Sequence, residues 1–283
     1  MNDFWYPGHM AKWQRQLAEH LKACDVVLMV LDARAPLATC PQGLVDAIAH
    51  RPVVWVFTKT DLADPKVTQQ WIQSRRYALG FSSTQTSGSQ KKELSQAILA
   101  AYAPRAKAQQ NKGLKPRHAR AMVFGVPNVG KSSLINALVG QKKVQTASKA
   151  GVTRAPSWVR VHAGIDLLDT PGLFPLDALP EGATEILPMI RSTGEAVIAS
   201  EPAASWLLKR LQARYAEPFA QWHQLPGEAT LETLARTKCW LKTGDLPDTG
   251  LAAERLLKLF RDGKLGRYTL QAPGQDGELP TLD

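Results

Sequence analysis

Long apolar runs and patterned cysteines are both missing from this sequence of 283 residues. A strongly apolar run at residues 26–31 is six residues long, whereas a membrane-spanning helix needs about 20. The three cysteines, at positions 24, 40 and 239, share no spacing typical of metal or redox sites, which favours reduced thiols. The first residues also lack the basic and apolar regions of a secretory signal. We therefore expect a cytoplasmic protein.

Acidic residues are fewer than basic ones. The 25 Asp and Glu stand against 35 Lys and Arg, so the formal net charge is +10. The excess is locally concentrated, because six cations and no acid occur between Arg105 and Arg120. A charge of this sign and size predicts a polyanionic partner, either nucleic acid or an anionic membrane surface. A basic protein without such a partner is the alternative.

Short apolar segments alternate with helical ones along the first part of the chain. A helical example is residues 10–22, where Trp13, Leu17 and Leu21 recur every four residues. The apolar segments are rich in β-branched residues and apolar on both faces, as buried parallel strands are. These segments are residues 25–32, 53–57, 121–124 and 165–168. The alternation predicts an α/β fold with a mostly parallel sheet flanked by helices.

The strand pattern stops after Pro180, and helical periodicity continues to the C-terminal region. A chain of this length can form one sizeable core and a second, smaller domain. We therefore expect an α/β domain at residues 1–177 and a smaller all-α domain at residues 178–283. Its helices are predicted at residues 203–215, 231–241 and 251–261.

Two boundaries are predicted in more detail. Residues 103–120 carry no apolar period and are expected to form a basic linker inside the first domain. Asp248 or Thr249 is expected to cap the last helix, and Gly263 is expected to end it.

A complete phosphate-binding pattern, Gly-Val-Pro-Asn-Val-Gly-Lys-Ser, spans residues 125–132 between an apolar strand and a helical run. Its glycines allow the backbone to approach phosphates, and the loop N–H groups and helix N-terminus supply positive potential. We expect Lys131 to reach the β- and γ-phosphates and Ser132 to offer its hydroxyl to Mg²⁺. The nucleotide-binding residues predicted here are Gly125, Asn128, Val129, Gly130, Lys131, Ser132 and Ser133.

Two later segments fit the same site. Asp169 begins an Asp-Thr-Pro-Gly sequence directly after a predicted strand, where its carboxylate can hold Mg²⁺ through water. Gly172 can present its backbone N–H to the γ-phosphate. Thr153 lies 21 residues past Ser132 in a polar stretch, from which its hydroxyl could reach the metal.

A candidate base-reading segment, Thr-Lys-Thr-Asp at residues 58–61, ends another predicted strand at the sheet edge where ligands bind. The Asp61 carboxylate can accept from both N1–H and the 2-amino group of guanine. Adenine would leave it unpaired, which is how buried polar groups discriminate between substrates. The Lys59 stem is expected along the base, and a backbone N–H near residues 82–83 on guanine O6. The predicted contacts are Thr58, Lys59, Thr60, Asp61, Ser82 and Ser83.

The base-reading segment precedes the phosphate loop, which is the reverse of the usual order. The segments resemble the five guanine-nucleotide motifs of translation-factor-type GTPases, in the rotated order that marks circularly permuted GTPases. Residues 5–12, Trp-Tyr-Pro-Gly-His-Met-Ala-Lys, resemble the N-terminal signature of the YlqF/RbgA family of ribosome-biogenesis GTPases, and residues 251–266 resemble the end of its C-terminal domain. Thr58 departs from the common Asn of the base motif, although its hydroxyl can still bond the phosphate loop.

The resemblance implies a P-loop GTPase domain with permuted motif order and the cofactors GTP or GDP and Mg²⁺. Leu173 occupies the position where many small GTPases carry the water-orienting Gln, so hydrolysis is expected to be slow until the ribosomal particle stimulates it. The resemblance assigns a catalytic role to His9, and Lys131 is the second predicted catalytic residue. It also implies that Asn128 helps to hold K⁺ beside the phosphates.

The resemblance further implies that the 50S ribosomal subunit precursor and its rRNA are the partners in the GTP state. A predicted basic patch on the last helix, suited to RNA phosphates, consists of Arg255, Lys258, Arg261, Lys264 and Arg267. We expect neither membrane nor DNA as a partner. Two alternatives are a GTP-gated interaction protein with a non-ribosomal partner and an ATP-using P-loop enzyme.

Overall fold

A six-stranded sheet forms the centre of the first domain. Its strand order is β3-β2-β1-β4-β6-β5, and every neighbouring pair is parallel except β5 and β6. The strands are β1 (Val26–Asp32), β2 (Val53–Thr58), β3 (Ala78–Phe81), β4 (Ala119–Phe124), β5 (Ser157–His162) and β6 (Ile165–Asp169). The computed structural model describes residues 17–41, 43, 45–48, 50–84, 87–115, 117–139, 157–162, 164–169, 179–180, 182–192, 201–223 and 229–282. The prediction of a mostly parallel sheet is confirmed.

The strand register aligns the ends of the strands that carry the predicted site. Asp32 of β1 lies opposite Thr58 of β2, and Thr58 lies opposite Phe81 of β3. On the other side of β1, Val123 of β4 lies opposite Asp169 of β6. The base-reading segment and the phosphate loop therefore leave the sheet at the same edge, as parallel strands require.

Helices cover the sheet. Residues 17–23 are helical, and α1 (Val45–Ile48), α2 (Pro65–Gln73), α3 (Gly88–Asn111) and α4 (Lys131–Val139) follow. The start of α2 illustrates how local sequence determines a boundary. Asp64 is its N-cap and accepts hydrogen bonds from the N–H groups of Lys66 and Val67, while Pro65 occupies the first turn, where no N–H is needed.

The expected linker at residues 103–120 is wrong over most of its length. Helix α3 continues through Pro104 to Asn111, and Ala119 already belongs to β4. The stretch is rich in Ala, Gln and Lys, which favour helix, and its far end faces solvent, so no apolar period is needed there. Among the described residues no helix, α3 included, is long and apolar enough to cross a membrane.

The C-terminal region is helical, as expected, with one short hairpin. Its elements are α5 (Ala183–Ile186), a 3₁₀ helix (Leu187–Ile190), α6 (Glu201–Arg214), α7 (Ala216–His223), α8 (Leu231–Thr237), β7 (Leu241–Lys242), β8 (Leu246–Pro247) and α9 (Thr249–Arg261). The helix predicted to reach residue 241 ends at Thr237 instead. Gly244 and Asp245 both have positive φ angles and close the turn between β7 and β8.

Helix α9 begins and ends as the sequence predicts. The Asp248 side chain accepts from the Leu251 N–H at 2.9 Å and caps the first turn. Gly263, with a φ of +70°, follows the C-cap residue Asp262 and allows the chain to leave the helix.

Residues 262–282, which we call the C-terminal segment, bridge the two parts of the molecule. Tyr268, Leu270 and Leu279 in it are buried, and the Trp71 indole N–H of α2 donates to the Gln271 carbonyl at 2.9 Å. The same segment accepts a hydrogen bond from Arg210 of α6 at the Leu270 carbonyl. These residues, expected within a separate helical domain, therefore contact the α/β domain as well, and a single buried cluster spans both.

Candidate functional site

The phosphate loop, residues 125–132, connects β4 to α4 and depends on glycine for a steric reason. A Cβ atom on Gly125 would lie 2.4 Å from the Val30 carbonyl oxygen of β1, so no other residue fits there. Asn128 and Gly130 both have positive φ angles, of 56° and 111°. The loop is therefore shaped by its contact with the neighbouring strand as well as by its own glycines.

Lys131 lies within the turn of the phosphate loop. Its side chain is buried, and its ammonium group donates to the carbonyls of Gly125 and Val126, both at 2.9 Å. Ser132 and Ser133 follow in the first turn of α4 and are half-buried. The lysine and the N-terminus of α4 thus both place positive charge at the phosphate loop, which favours the binding of an anion.

Thr58 connects the phosphate loop to two strands. Its buried hydroxyl oxygen lies 2.6 Å from the Val129 carbonyl and 2.8 Å from the Leu31 carbonyl. A hydroxyl has one proton, so Thr58 shares it between these two acceptors. The prediction that Thr58 can bond the phosphate loop in place of an Asn is confirmed.

Lys59 of the base loop, residues 58–64, joins the buried Asp32 and Arg34 in an ion cluster that the sequence analysis missed. The Lys59 ammonium donates to Asp32 at 2.7 Å, and the Arg34 guanidinium donates to both oxygens of the same carboxylate at 3.0 and 2.9 Å. Burial alone would raise the pKa of Asp32, but Arg34 and Lys59 hold it well below its ordinary value. Burial lowers the pKa of Lys59, and Asp32 opposes that shift. The sequence did contain a signal for Asp32, because it directly follows the apolar run at residues 26–31.

Asp61 is oriented by hydroxyl groups from the end of β3. Ser82 donates to one carboxylate oxygen at 2.8 Å, and Thr84 donates to the other at 3.0 Å. Ser82 is buried, whereas Ser83 and Thr84 are exposed. The structure therefore brings together Asp61 and Ser82 as predicted and adds Thr84, which lies two residues beyond Ser82 and was not predicted.

Comparison with known proteins agrees with this geometry. A family model described as 50S ribosome-binding GTPase matches residues 120–209. Ribosome biogenesis GTPase A of Bacillus cereus is 32% identical over 97% of this chain and 95% of its own length. The corresponding protein of Priestia megaterium is 33% identical over 96% of this chain and 97% of its own length. The chain belongs to the ribosome biogenesis GTPase A family.

Solved structures of the family have the same fold. The GNP-bound YlqF of T. maritima matches with a TM-score of 0.59 at 25% identity and covers 93% of this chain and 99% of its own. A GDP-bound structure of TM YlqF matches with a TM-score of 0.60 at 26% identity over 92% of this chain and 99% of its own. The chain is accordingly a GTPase of the YlqF type with a role in ribosome biogenesis, and the family resemblance found in its motifs is confirmed.

Several predicted residues of this YlqF-type GTPase lie outside the described part of the chain. They are His9, Thr153 and Gly172, together with the side chain of Asp169. The backbone of Asp169 is described. It ends β6, which pairs with β4, the strand that leads into the phosphate loop. The roles of these four residues therefore stay predictions.

The predicted basic patch is smaller in the structure than in the sequence. Arg255, Lys258 and Lys264 are exposed. Arg261 instead donates to the Pro188 carbonyl at 2.8 Å, and Arg267 donates to two carbonyls of the base loop. The helical period places cations on one face, but it carries no information about which carbonyls other segments bring to that face. Trp206, Trp222 and Trp240 of the helical region are partly buried and pack against the core.

Proposed function

We propose that this GTPase binds the precursor of the 50S ribosomal subunit when it holds GTP, promotes a late assembly step, and leaves after hydrolysis. The observation that carries the proposal is the joining of phosphate loop and base loop through Thr58 in a chain of the ribosome biogenesis GTPase A family. Relatives carry ribosome biogenesis in their names, and the matching family model is described as ribosome-binding.

Asp61 is the proposed reader of guanine. Support comes from Ser82 and Thr84, which each occupy one carboxylate oxygen and so fix the plane of the carboxylate. Each oxygen retains further accepting capacity, enough for N1–H and the 2-amino group of guanine. Thr58, Lys59 and Thr60 complete the proposed contact from the base loop, and Ser83 lies beside Ser82.

Asp61→Asn tests this assignment directly. Asn presents an amide N–H₂ where Asp presents an acceptor, so it should repel the guanine 2-amino group and pair with the O2 carbonyl of xanthine. We expect the variant to lose affinity for GTP and gain affinity for xanthosine triphosphate, measured by competition against a labelled nucleotide. Unchanged GTP binding by the variant would remove Asp61 from the site.

The proposed phosphate chemistry uses the phosphate loop. Lys131, from within the loop, would stabilise the β- and γ-phosphates, and Ser132, Thr153 and Asp169 would hold Mg²⁺. The donor set fits that ion, because hydroxyl and carboxylate oxygens are the ligands it prefers. Gly172 is proposed to contact the γ-phosphate, His9 to orient the attacking water, and Asn128 to help hold K⁺.

The proposed rRNA contact uses exposed cations for which no ion pair is described. Lys258 and Lys264 are exposed on α9 and just beyond it, and so is Arg255, whose guanidinium lies 5.3 Å from the Trp240 ring centroid. In the basic stretch at residues 105–120, Arg105 and Arg117 are instead paired with the buried Asp25, at 3.1 and 2.7 Å. Exposed lysines and arginines that release counterions from phosphates would account for salt-dependent binding.

The chain that follows the Asp-Thr-Pro-Gly sequence at residues 169–172 offers a route from nucleotide to particle. In the permuted order the helical region follows it in sequence, and the first described helices after residue 182 are α5 and the 3₁₀ helix Leu187–Ile190. The Ile190 carbonyl accepts from Arg34 at 3.3 Å, and the Pro188 carbonyl accepts from Arg261 of α9 at 2.8 Å. A shift at Gly172 on γ-phosphate loss would therefore act on α9 through this element.

Co-sedimentation with 50S particles is the deciding experiment. Binding with a non-hydrolysable GTP analogue and its loss with GDP are expected, with binding that weakens as salt rises. Equal binding in both nucleotide states would contradict the proposed cycle. Absence of binding in either state would favour a non-ribosomal partner, and ATP competing as well as GTP would favour an ATP-using enzyme.

A further inference from the structure

Residues 267–269 of the C-terminal segment contact most of the base loop, from residue 60 to residue 64. Arg267 donates from Nη2 to the Thr60 carbonyl at 2.7 Å and from Nε to the Ala63 carbonyl at 3.0 Å. The Tyr268 N–H donates to the Leu62 carbonyl at 3.3 Å. These contacts fall on the residues that flank Asp61 in the chain.

The approach of the two segments is close and anchored. A Cβ atom on Gly263 would lie 2.6 Å from a methyl carbon of Leu62, so a larger residue would have to displace the Leu62 side chain, and the φ of +70° also favours glycine here. The hydroxyl of the fully buried Thr269 accepts from the Asp64 N–H at 3.1 Å and donates to the Ala33 carbonyl at 3.2 Å. The segment therefore has a fixed position relative to both β1 and the base loop.

The anchoring extends into the helical region. The Tyr215 hydroxyl, between α6 and α7, donates to the Thr269 carbonyl at 3.1 Å and accepts from the Thr269 N–H at 3.0 Å. Both backbone groups of Thr269 are thus bonded to one side chain. Arg267, two residues earlier, is held at the start of this rigid stretch while its guanidinium reaches the base loop.

Asp61 is consequently held from two directions. Its carboxylate oxygens accept from Ser82 and Thr84, while the Thr60 carbonyl before it and the Ala63 carbonyl two residues after it both accept from Arg267. A planar guanidinium presents two separated N–H groups in fixed directions, whereas a lysine carries all its donors on one nitrogen and holds two acceptors less rigidly. Displacement of a recognition group by a fraction of an ångström weakens hydrogen bonds that depend on direction.

We propose that Arg267 is a positioning residue for guanine selection, because its guanidinium holds the carbonyls around Asp61 and so sets the direction of the carboxylate. The inference rests on the proposed role of Asp61 as the reader of guanine. It also assigns Arg267 a purpose other than the contact with RNA phosphates that its place in a basic sequence predicts. A residue of the C-terminal segment thereby becomes a determinant of which nucleotide the α/β domain binds.

The test compares Arg267→Ala with the wild-type chain in competition binding of GTP, GDP and inosine triphosphate. Inosine lacks the 2-amino group, so it forms one fewer hydrogen bond with Asp61. We expect Arg267→Ala to weaken GTP and GDP by about five- to thirtyfold, as the loss of one or two hydrogen bonds implies. Inosine triphosphate should be weakened less, so the preference for GTP over it falls towards one.

Two further variants serve as controls. Lys264→Ala removes an exposed cation three residues earlier, for which no side-chain contact is described, and should leave all three affinities unchanged. Arg267→Lys keeps the charge but replaces the planar fork with donors on a single nitrogen, so its nucleotide preference should lie closer to that of Arg267→Ala than to that of the wild type. The ratio of two affinities is independent of the fraction of protein that is folded, which separates positioning from general destabilisation.

The inference is overturned if Arg267→Ala binds GTP as the wild type does, or if it weakens GTP and inosine triphosphate equally. Asp61→Asn distinguishes the two levels of the argument. If that variant switches to xanthosine triphosphate while Arg267→Ala keeps full GTP preference, Asp61 reads guanine without help from Arg267. If neither variant changes nucleotide preference, the proposed base site itself is wrong.

Discussion

A single hydroxyl joins the end of β2 to the phosphate loop, and Thr58→Val removes it with little change in shape. The buried hydroxyl lies 2.6 Å from the Val129 carbonyl and 2.8 Å from the Leu31 carbonyl. Loss of a buried partner leaves a polar group unsatisfied, at a cost of about 1–3 kcal/mol. We expect the free energy of unfolding to fall by that amount in a denaturant titration.

Nucleotide affinity should fall together with stability. The freed phosphate loop must then be ordered by the ligand, so GTP and GDP should both bind up to about tenfold more weakly. The effect should be equal for the two nucleotides, because Thr58 contacts the loop at Val129 and the γ-phosphate is not involved. Calorimetric titration of both nucleotides measures it.

Thr68→Val is the matched control for Thr58→Val. Thr68 is also a buried threonine, on α2, but its hydroxyl has no hydrogen-bond partner among the described residues. Its replacement should therefore be neutral or slightly stabilising. If Thr58→Val is as stable as Thr68→Val and binds GTP as tightly as the wild type, the hydroxyl bridge has no energetic role.

Three further predictions concern Asp32, the cysteines and the role of Asn128. Asp32→Asn leaves Arg34 and Lys59 without their shared anion and should lower the free energy of unfolding by about 3–5 kcal/mol; a difference under 1 kcal/mol from the wild type would contradict this value. Because the pKa of Asp32 is lowered in the folded chain, wild-type stability should also decline as the pH falls below about 4. A thiol reagent should label Cys239 rapidly and the buried Cys24 and Cys40 only on unfolding, because burial raises the pKa of Cys24 to about 11 and of Cys40 to about 12, and early labelling of all three would refute their burial. Hydrolysis should be faster in K⁺ than in Na⁺ if Asn128 helps to hold the ion, and equal rates would reject that role.

Local patterns were sufficient for the elements whose neighbours in sequence decide them. The apolar segments became β1, β2, β4 and β6 because a strand buried on both faces must be apolar throughout. Asp248 caps α9 because its side chain reaches an N–H three residues on. The phosphate loop is recognisable because contiguous residues build it. Antiparallel β5 carried no such pattern and was not predicted.

Contacts between distant residues could not be predicted in this way. Asp32 and Arg34 drew no attention in the sequence, yet Asp32 binds Lys59 of the base loop and Arg34 binds the same carboxylate. Arg261 and Arg267 resembled free cations because only the folded chain brings the Pro188 and Thr60 carbonyls to them. Helix α3 extends into the expected linker, as far as Asn111. A helix end that faces solvent needs helix propensity but no apolar period.

The sequence by itself thus determined the order of the motifs, the chemistry of the phosphate loop and the family. Those properties reside in short contiguous stretches, whose geometry follows from backbone sterics and hydrogen bonds within a few residues. Tertiary structure alone decided which side chains orient Asp61 and Lys59, and that the C-terminal segment takes part. The reason is physical: a hydrogen bond between residues 60 and 267 depends on the packing of everything between them, which no local pattern records.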